Sequence, residues 1–344
     1  MCKYEGYDAF IATYYTKNFS NLKFVSGLRV EIVPKITGKW PLDSCLWLIK
    51  NAKRINVLNI YHMCTRTVFQ AAFFRLFNRK GKIYMRCDGC PTKTSGRAAK
   101  YFLGRVIKRI LGGWLIRNAD HVSTEVEDNV ELLKREWGCN NVFYYPTPLH
   151  PMEYTDFRPF SQRSNTILTV GRLGTKQKAT EILLEAFVKI ADQIPDWTLK
   201  LAGPFVENIH IADDFYKAHP ELSERVIFTG NISDRNELAA LYEDSKIFAF
   251  PTRYESFGIV ITEAMIHGCF AVATRIQTNT SLTENFRYAL GSPVDDVDGL
   301  AKNLLWACTH EDEAEKLAHE GRQATMKRLD LKMRSDILAE ILRS

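Results

Sequence analysis

Glu255 and Glu263 stand eight positions apart in the run FPTRYESFGIVITEAMIHG (residues 250–268), around the small turn Ser256-Phe257-Gly258. The turn leads into IVITEAMI, where Ile259, Val260, Ala264 and Ile266 recur at roughly helical spacing. A helix start presents free backbone N–H groups and a partial positive charge, which suit a phosphate or a polar sugar. Gly258 has no Cβ to keep a ligand from the backbone. Glu255 then sits at the mouth of an anion site and Glu263 two turns further along the same helix. Both carboxylates can accept hydrogen bonds from hydroxyl groups. A ligand with phosphate in the middle and polyhydroxylated rings at both ends fits that layout, as in a nucleotide sugar. The plainer alternative is a buried helix with two solvated or capping glutamates.

A second segment, TILTVGRLGTKQKATEILLEAF (residues 166–187), reads as a β-branched strand, a basic glycine turn and an amphipathic helix. That order is how a doubly wound parallel sheet brings ligands to its carboxyl edge. Arg172 offers a planar fork of donors and Lys178 a point charge at the helix start, both suited to a diphosphate.

Taken together and in this order, the two segments resemble the GRL…K and E-x7-E motifs of family 4 retaining glycosyltransferases of the bacterial surface-polysaccharide type. The resemblance covers residues 165–305 and implies an α/β chain of GT-B fold, two Rossmann-like doubly wound domains facing a cleft. It implies that Arg172 and Lys178 clamp the donor diphosphate, with Ser256, Phe257, Gly258 and Ile259 also binding donor. It assigns Glu263 to the ribose and gives Glu255 a catalytic place facing the transferred sugar. Two departures stand out: the Arg172 to Lys178 spacing is one residue longer than the family's, and Ala179 stands where glycine is usual. Lys178 is aligned because KATEILLEAF keeps the helix register, with Lys176 as the alternative.

The elements that must position these residues alternate as a Rossmann-like half should. WTLKLAGPF and RVIFTG read as strands, NELAALYEDS as a short helix, KIFAFPT as the strand that delivers Glu255, and GCFAVATRI as a further strand. A loop with Thr280, Glu284 and Asn285 follows. Upstream, INVLNIYHM ends in His62 and GKIYMRCDG in Asp88-Gly89, and HVSTEVEDNVELL starts another strand-turn-helix with Thr124 or Glu125 at its edge. By the resemblance, Asp88 fills the catalytic position of a polar residue facing the transferred sugar; an Asp-Gly is also a common turn. The chain opens in YEGYDAFIATYY at what reads as the end of the family's first helix and its second strand, so the first strand reads as absent and its neighbours as open edges. The expected division is an acceptor domain over 1–155, a donor domain over 156–325, and a terminal helical segment at 326–344 that crosses back to the first domain.

With 344 residues, 46% hydrophobic and 25% charged, the chain suits two globular domains. No apolar run reaches the ~18 residues needed to span a bilayer, and the opening MCKYEGYDAFIATYY lacks the basic-then-apolar order of a secretory leader, so none is expected. Cys87 and Cys90 form one C-x2-C without the second pair of a structural zinc site. No D-x-D ends a strand, and Asp295-Asp296-Val297-Asp298 reads as an acidic loop capping the next helix; neither metal nor cofactor is expected. Charge is uneven: residues 1–155 hold 24 Lys and Arg against 12 Asp and Glu, and residues 156–344 hold 22 against 28. Between Asp88 and Asp120 seven basic residues occur with no acid. There Leu103, Val106, Ile107, Ile110 and Trp114 share one helical face opposite Arg105, Lys108 and Arg109. Such a helix either sits on an anionic membrane or docks on its sheet with a solvated basic face. Nucleic acid is excluded by the lack of stacking motifs of the RNA-binding kind. The expected setting is the cytoplasm, peripheral on the inner face of the membrane. The expected partners are a nucleotide-sugar donor and a glycan or lipid-linked acceptor. The rival reading is a degraded scaffold that binds nucleotide sugar or a partner transferase without turnover.

Overall fold

The computed structural model describes residues 6–13, 29–87, 102–148, 156–206 and 210–344, with the helix at 102–118 described by its backbone alone over 102–109. Asp88, Gly89 and Cys90 lie outside the described residues, as do the side chains of Leu103, Arg105, Val106, Ile107, Lys108 and Arg109. The chain divides into two units, one of Met1–Pro148 with Leu331–Ser344, the other of Leu149–Asp330.

The first unit runs β1 (Phe10–Thr13), β2 (Arg29–Ile32), α1 (Trp40–Asn51), β3 (Val57–Tyr61), α2 (Thr65–Phe77), β4 (Lys82–Cys87), α3 (Phe102–Asn118), β5 (His121–Thr124), α4 (Asp128–Trp137) and β6 (Val142–Tyr144). Strands β3 to β6 form a four-stranded parallel sheet in sequential order, while β1 and β2 pair parallel in a separate two-stranded sheet. Among the described residues β1, β2, β3 and β6 therefore each carry one edge without a strand partner. Ile60, Ile83, Met85 and Val122 of the sheet bury against Val68 and Phe74 of α2 and Leu115 and Ile116 of α3.

Of the expected apolar face of α3, Ile110 and Trp114 have described side chains, and they differ: Ile110 is exposed and Trp114 packs on the core. The helix's buried residues are Gly112, Gly113, Leu115 and Ile116, with Ala119 buried just beyond its end, whereas Ile110 is 62% exposed. Trp114, half-buried, packs on the same core cluster, so the helix buries more than one side. Two adjacent glycines let the helix approach closely: a Cβ on Gly112 would meet the Met63 sulfur at 2.7 Å.

The second unit runs β7 (Ser164–Val170), α5 (Thr180–Ile190), β8 (Thr198–Ala202), α6 (Ile211–Ala218), β9 (Val226–Gly230), α7 (Arg235–Asp244), β10 (Ser245–Phe250), α8 (Ile259–Ile266), β11 (Phe270–Thr274), α9 (Gln277–Leu282), β12 (Ala289–Ser292), α10 (Val297–Thr309) and α11 (Glu311–Arg328). Its six strands are parallel in the order β12-β11-β10-β7-β8-β9. Every residue of β10 and β11 is buried, as a strand covered by helices on both faces requires. One face packs on a cluster with Phe187, Leu199 and Ile247, the other on a cluster with Phe248, Phe250 and Ile261. Winding outward from β7 in one direction and from β10 in the other makes the β7–β10 boundary the topological switch point, where open α/β sheets bind ligands.

The last helix, α12 (Leu331–Arg343), belongs to the first unit. Leu338 and Leu342 pack with Tyr84 and Tyr145. Tyr145 Oη donates to the Arg334 carbonyl at 3.2 Å and Lys82 Nζ to the Leu342 carbonyl at 3.0 Å.

Candidate functional site

Strands β7 and β10 are neighbours, so their carboxyl ends deliver Gly171-Arg172 and the loop 251–258 to one edge of the sheet. At the end of β8, Gly203 sits at φ 139°, and a Cβ there would fall 1.8 Å from the Gly171 carbonyl oxygen. Only glycine permits that approach. The 172–179 turn is tied down by side chains and backbone together. Gly174 N–H donates to Thr180 Oγ1 at 3.0 Å, Arg172 Nη2 to Gln177 Oε1 at 3.1 Å, and Gln177 Nε2 to the Tyr254 carbonyl at 3.0 Å. Arg253 clamps the same turn: Nη1 donates to the Lys176 carbonyl at 2.8 Å, Nη2 reaches Glu181 at 2.6 Å, and Nε reaches Asp295 at 2.6 Å.

Within this frame Lys178 and Glu255 meet, Nζ to Oε2 at 2.5 Å, with both side chains largely buried. The Lys178 ammonium also lies 4.8 Å from the centre of the Phe250 ring, and its stem lines Gly171. Lys176 points to solvent instead. Ala179 follows in the left-handed region, φ 48° and ψ 46°, fully buried. A backbone conformation that glycine adopts without strain is therefore held here by alanine.

Glu255 is fixed through its own backbone as well, since Thr278 Oγ1 donates to its carbonyl at 2.9 Å. Phe257 is a core residue, 6% exposed, so its contribution to a ligand is its backbone. Gly258 at φ 81° caps α8, and a Cβ there would meet Leu282 Cδ1 at 2.9 Å. The N–H groups of Ile259 and Val260 open the first turn of α8 with no partner among the described residues, so they and the positive helix end face any anion held at Lys178.

Glu263 belongs to a separate cluster. Arg235 Nη1 donates to its Oε1 at 3.1 Å and Tyr242 Oη to its Oε2 at 3.3 Å. Burial pushes the Glu263 carboxyl above its ordinary range, with Arg235 and Tyr242 pulling it partly back. Burial likewise raises the Tyr242 phenol well above its ordinary value, so it is a neutral hydrogen-bond donor. The structure thus brings Lys178 to Glu255, links Arg172 to the same loop through Gln177, and sets Glu263 with Arg235 and Tyr242. Asp296 accepts from Gly299 N–H at 2.8 Å as the cap of α10, while its neighbour Asp295 is engaged with Arg253. Sequence reading overlooked Arg235, Tyr242, Arg253, Gln177 and Thr278. Their partners lie far along the chain, and only the helical phase of Tyr242 offered a signal.

At the switch-point edge of the doubly wound sheet stand a pair of cations, an open helix start and two separately held carboxylates, the charges and acceptors that a phosphorylated, polyhydroxylated ligand calls for. Residues 164–310 match the model of the family described as glycosyl transferases, group 1. The chain is 28% identical over 173 residues to an uncharacterized glycosyltransferase of Haemophilus influenzae, covering 50% of this chain and 47% of that protein. It is 27% identical over 146 residues to a phosphatidyl-myo-inositol mannosyltransferase of Mycolicibacterium smegmatis, covering 42% and 36%. These alignments span less than half of either relative. Among solved structures, a glycosyltransferase from Rickettsia africae superposes with a TM-score of 0.76 at 15% identity over 98% of this chain and 91% of that one. The HepE protein of Anabaena, solved with UDP and glucose, superposes with a TM-score of 0.73 at 18% identity over 99% and 93%. The fold is the α/β GT-B fold of these glycosyltransferases.

Proposed function

We propose that the protein is a retaining glycosyltransferase that moves a sugar from a nucleotide-diphosphate sugar to a glycan or lipid-linked acceptor in the synthesis of a cell-surface polysaccharide or glycolipid. The observation that carries this reading is the Lys178–Glu255 pair at the free start of α8, on the switch-point edge of a group 1 segment. Lys178 and Arg172 neutralise the diphosphate as it leaves, helped by the N–H groups of Ile259 and Val260. The transferred sugar then lies against Glu255, and attack proceeds on the face from which the diphosphate departs. Glu263 takes the ribose hydroxyls, so Arg235 must share it or withdraw when donor binds. Two positive side chains and a helix end supply the charge for which other transferases use a divalent ion, so turnover is metal-independent. Asp88 supports the sugar from the acceptor domain by the family's pattern. Arg105, Lys108 and Arg109 supply positive charge suited to the anionic inner surface of the cell membrane.

A screen of UDP-, GDP- and ADP-sugars for nucleotide release tests the reading. One donor class should be hydrolysed above background, and Glu255→Gln should slow that release without weakening binding of the bare nucleotide diphosphate. Tight nucleotide binding with no release from any donor, with or without added glycan acceptors, would make the protein a binding scaffold.

A further inference from the structure

The outer surface of α1 and α2 takes no part in the donor site, and its composition is unusual. On α1, Leu42, Leu46 and Ile49 follow one another at steps of four and three residues and so share a face; they are 52%, 37% and 37% exposed. On α2, Phe69 and Leu76 stand two turns apart, 49% and 65% exposed. The opposite sides of the two helices, with Leu48, Val68, Ala71 and Phe74, hold the core. Gln70 Nε2 donates to Ser44 Oγ at 2.9 Å and Asn78 Nδ2 to the Ala52 carbonyl at 2.8 Å, which sets the helices side by side. Their exposed apolar residues therefore point away from the sheet together. Single exposed leucines are ordinary, but five large apolar residues across two adjoining helices form a patch.

Nine Lys and Arg occur between residues 32 and 81 against a single acid, Asp43. That acid is buried and accepts from Thr37 N–H at 2.7 Å and Gly38 N–H at 3.1 Å. Arg54 and Arg75 pair with Glu31 and Asp120. Lys50, Lys53, Arg66, Arg79 and Lys80 are exposed and have no acidic partner among the described residues. A second copy of this chain is a poor occupant, because a two-fold contact through this face would set its uncompensated cations against their own images. A surface that offers hydrocarbon to the leucines and phenylalanine and anions to their rim satisfies both requirements at once. No described helix is long and apolar enough to cross a membrane, so such contact is made from the side.

We propose that the outer face of α1 and α2 docks the protein on an anionic lipid bilayer, with Leu42, Leu46, Ile49, Phe69 and Leu76 at the acyl boundary and the surrounding Lys and Arg on the headgroups. This surface differs from the Arg105, Lys108 and Arg109 set, and its binding requires no turnover. The test is co-sedimentation of the full chain with phosphatidylcholine vesicles, with and without phosphatidylglycerol. Binding should be at least tenfold tighter to the anionic vesicles and should fall with salt. Lys50→Gln, Lys53→Gln and Arg66→Gln should each weaken it roughly fivefold. Combined Leu46→Ser, Ile49→Ser, Phe69→Ser and Leu76→Ser should weaken it tenfold or more, with an unchanged circular dichroism spectrum. Hydrogen exchange of the unaltered protein should slow in α1 and α2 when anionic vesicles are added, which keeps the test valid if the combined variant misfolds. Unchanged exchange there, equal binding to neutral vesicles, or loss only on replacing Arg105, Lys108 and Arg109 would overturn the proposal. So would an unaltered chain that dimerises through this face.

Discussion

At the switch-point edge of the second unit, cations are matched to oxygens: Lys178 to Glu255, Arg235 to Glu263, and Arg253 to both Glu181 and Asp295. On the outer face of α1 and α2 the same residue types stand in solvent among exposed leucines, with no acid beside them. The difference separates two uses of positive charge. A cation that must meet one small ligand in one orientation is held by neighbours and partly buried, so little order remains to be imposed on binding. A cation that meets a fluid surface needs no fixed partner and gains from staying mobile.

The largest expected effects fall on the ordered side of this comparison. Arg172→Ala and Lys178→Ala should each weaken nucleotide diphosphate binding by calorimetry by about 10- to 100-fold, as expected for loss of one charge-assisted contact. Lys176→Ala and Lys50→Gln should leave it unchanged. If Lys176→Ala abolishes binding and Lys178→Ala does not, the register assigned to the turn is wrong. Next in size, Gly258→Ala should cost about 1 to 3 kcal/mol in urea unfolding, because φ 81° and the Leu282 contact both oppose a Cβ. Ala179→Gly should stay near neutral, since it relieves a left-handed alanine, whereas the same change inside a helix costs about 1 kcal/mol.

A smaller, pH-dependent effect belongs to Glu263. Burial raises its carboxyl above the ordinary value of 4.5, so the folded protein holds that proton more tightly than the unfolded chain does. Its contribution is most favourable at low pH and is lost as pH rises through the folded value. Glu263→Gln should therefore gain stability on the unaltered protein at neutral pH, with the gap narrowing as pH falls toward 4.5. A gap independent of pH would show that Arg235 and Tyr242 fully offset the burial. Smallest of all, EDTA should leave turnover intact; complete loss restored by Mn²⁺ or Mg²⁺ would remove the metal-free mechanism.

The site's two motifs were legible because their chemistry is local: a turn, a cap and a carboxylate must be consecutive to share one sheet edge. The strands around them were legible for the same reason, since FAVAT and SKIFAF contain the continuous apolar runs FAVA and IFAF. The partners were not. Arg235 reaches Glu263 across 28 positions and Arg253 reaches Glu181 across 72, which no local pattern encodes. On α3 the apolar spacing was a guide to Trp114, which packs on the core, but not to Ile110, which is exposed, nor to the close approach at Gly112. The exposed face of α1 was hidden in a run, WPLDSCLWLIKN, with apolar residues on nearly every side. Only the placement of α2 decides which of them are covered.

The central claim is that Glu255 and Glu263 serve different parts of one donor, and calorimetry of the bare nucleotide diphosphate on two variants tests it most directly. Glu263→Gln should weaken that binding, because its partner is the ribose. Glu255→Gln should leave it nearly intact while lowering turnover, because its partner is the sugar. Loss of the bare nucleotide in Glu255→Gln together with its retention in Glu263→Gln would contradict the account.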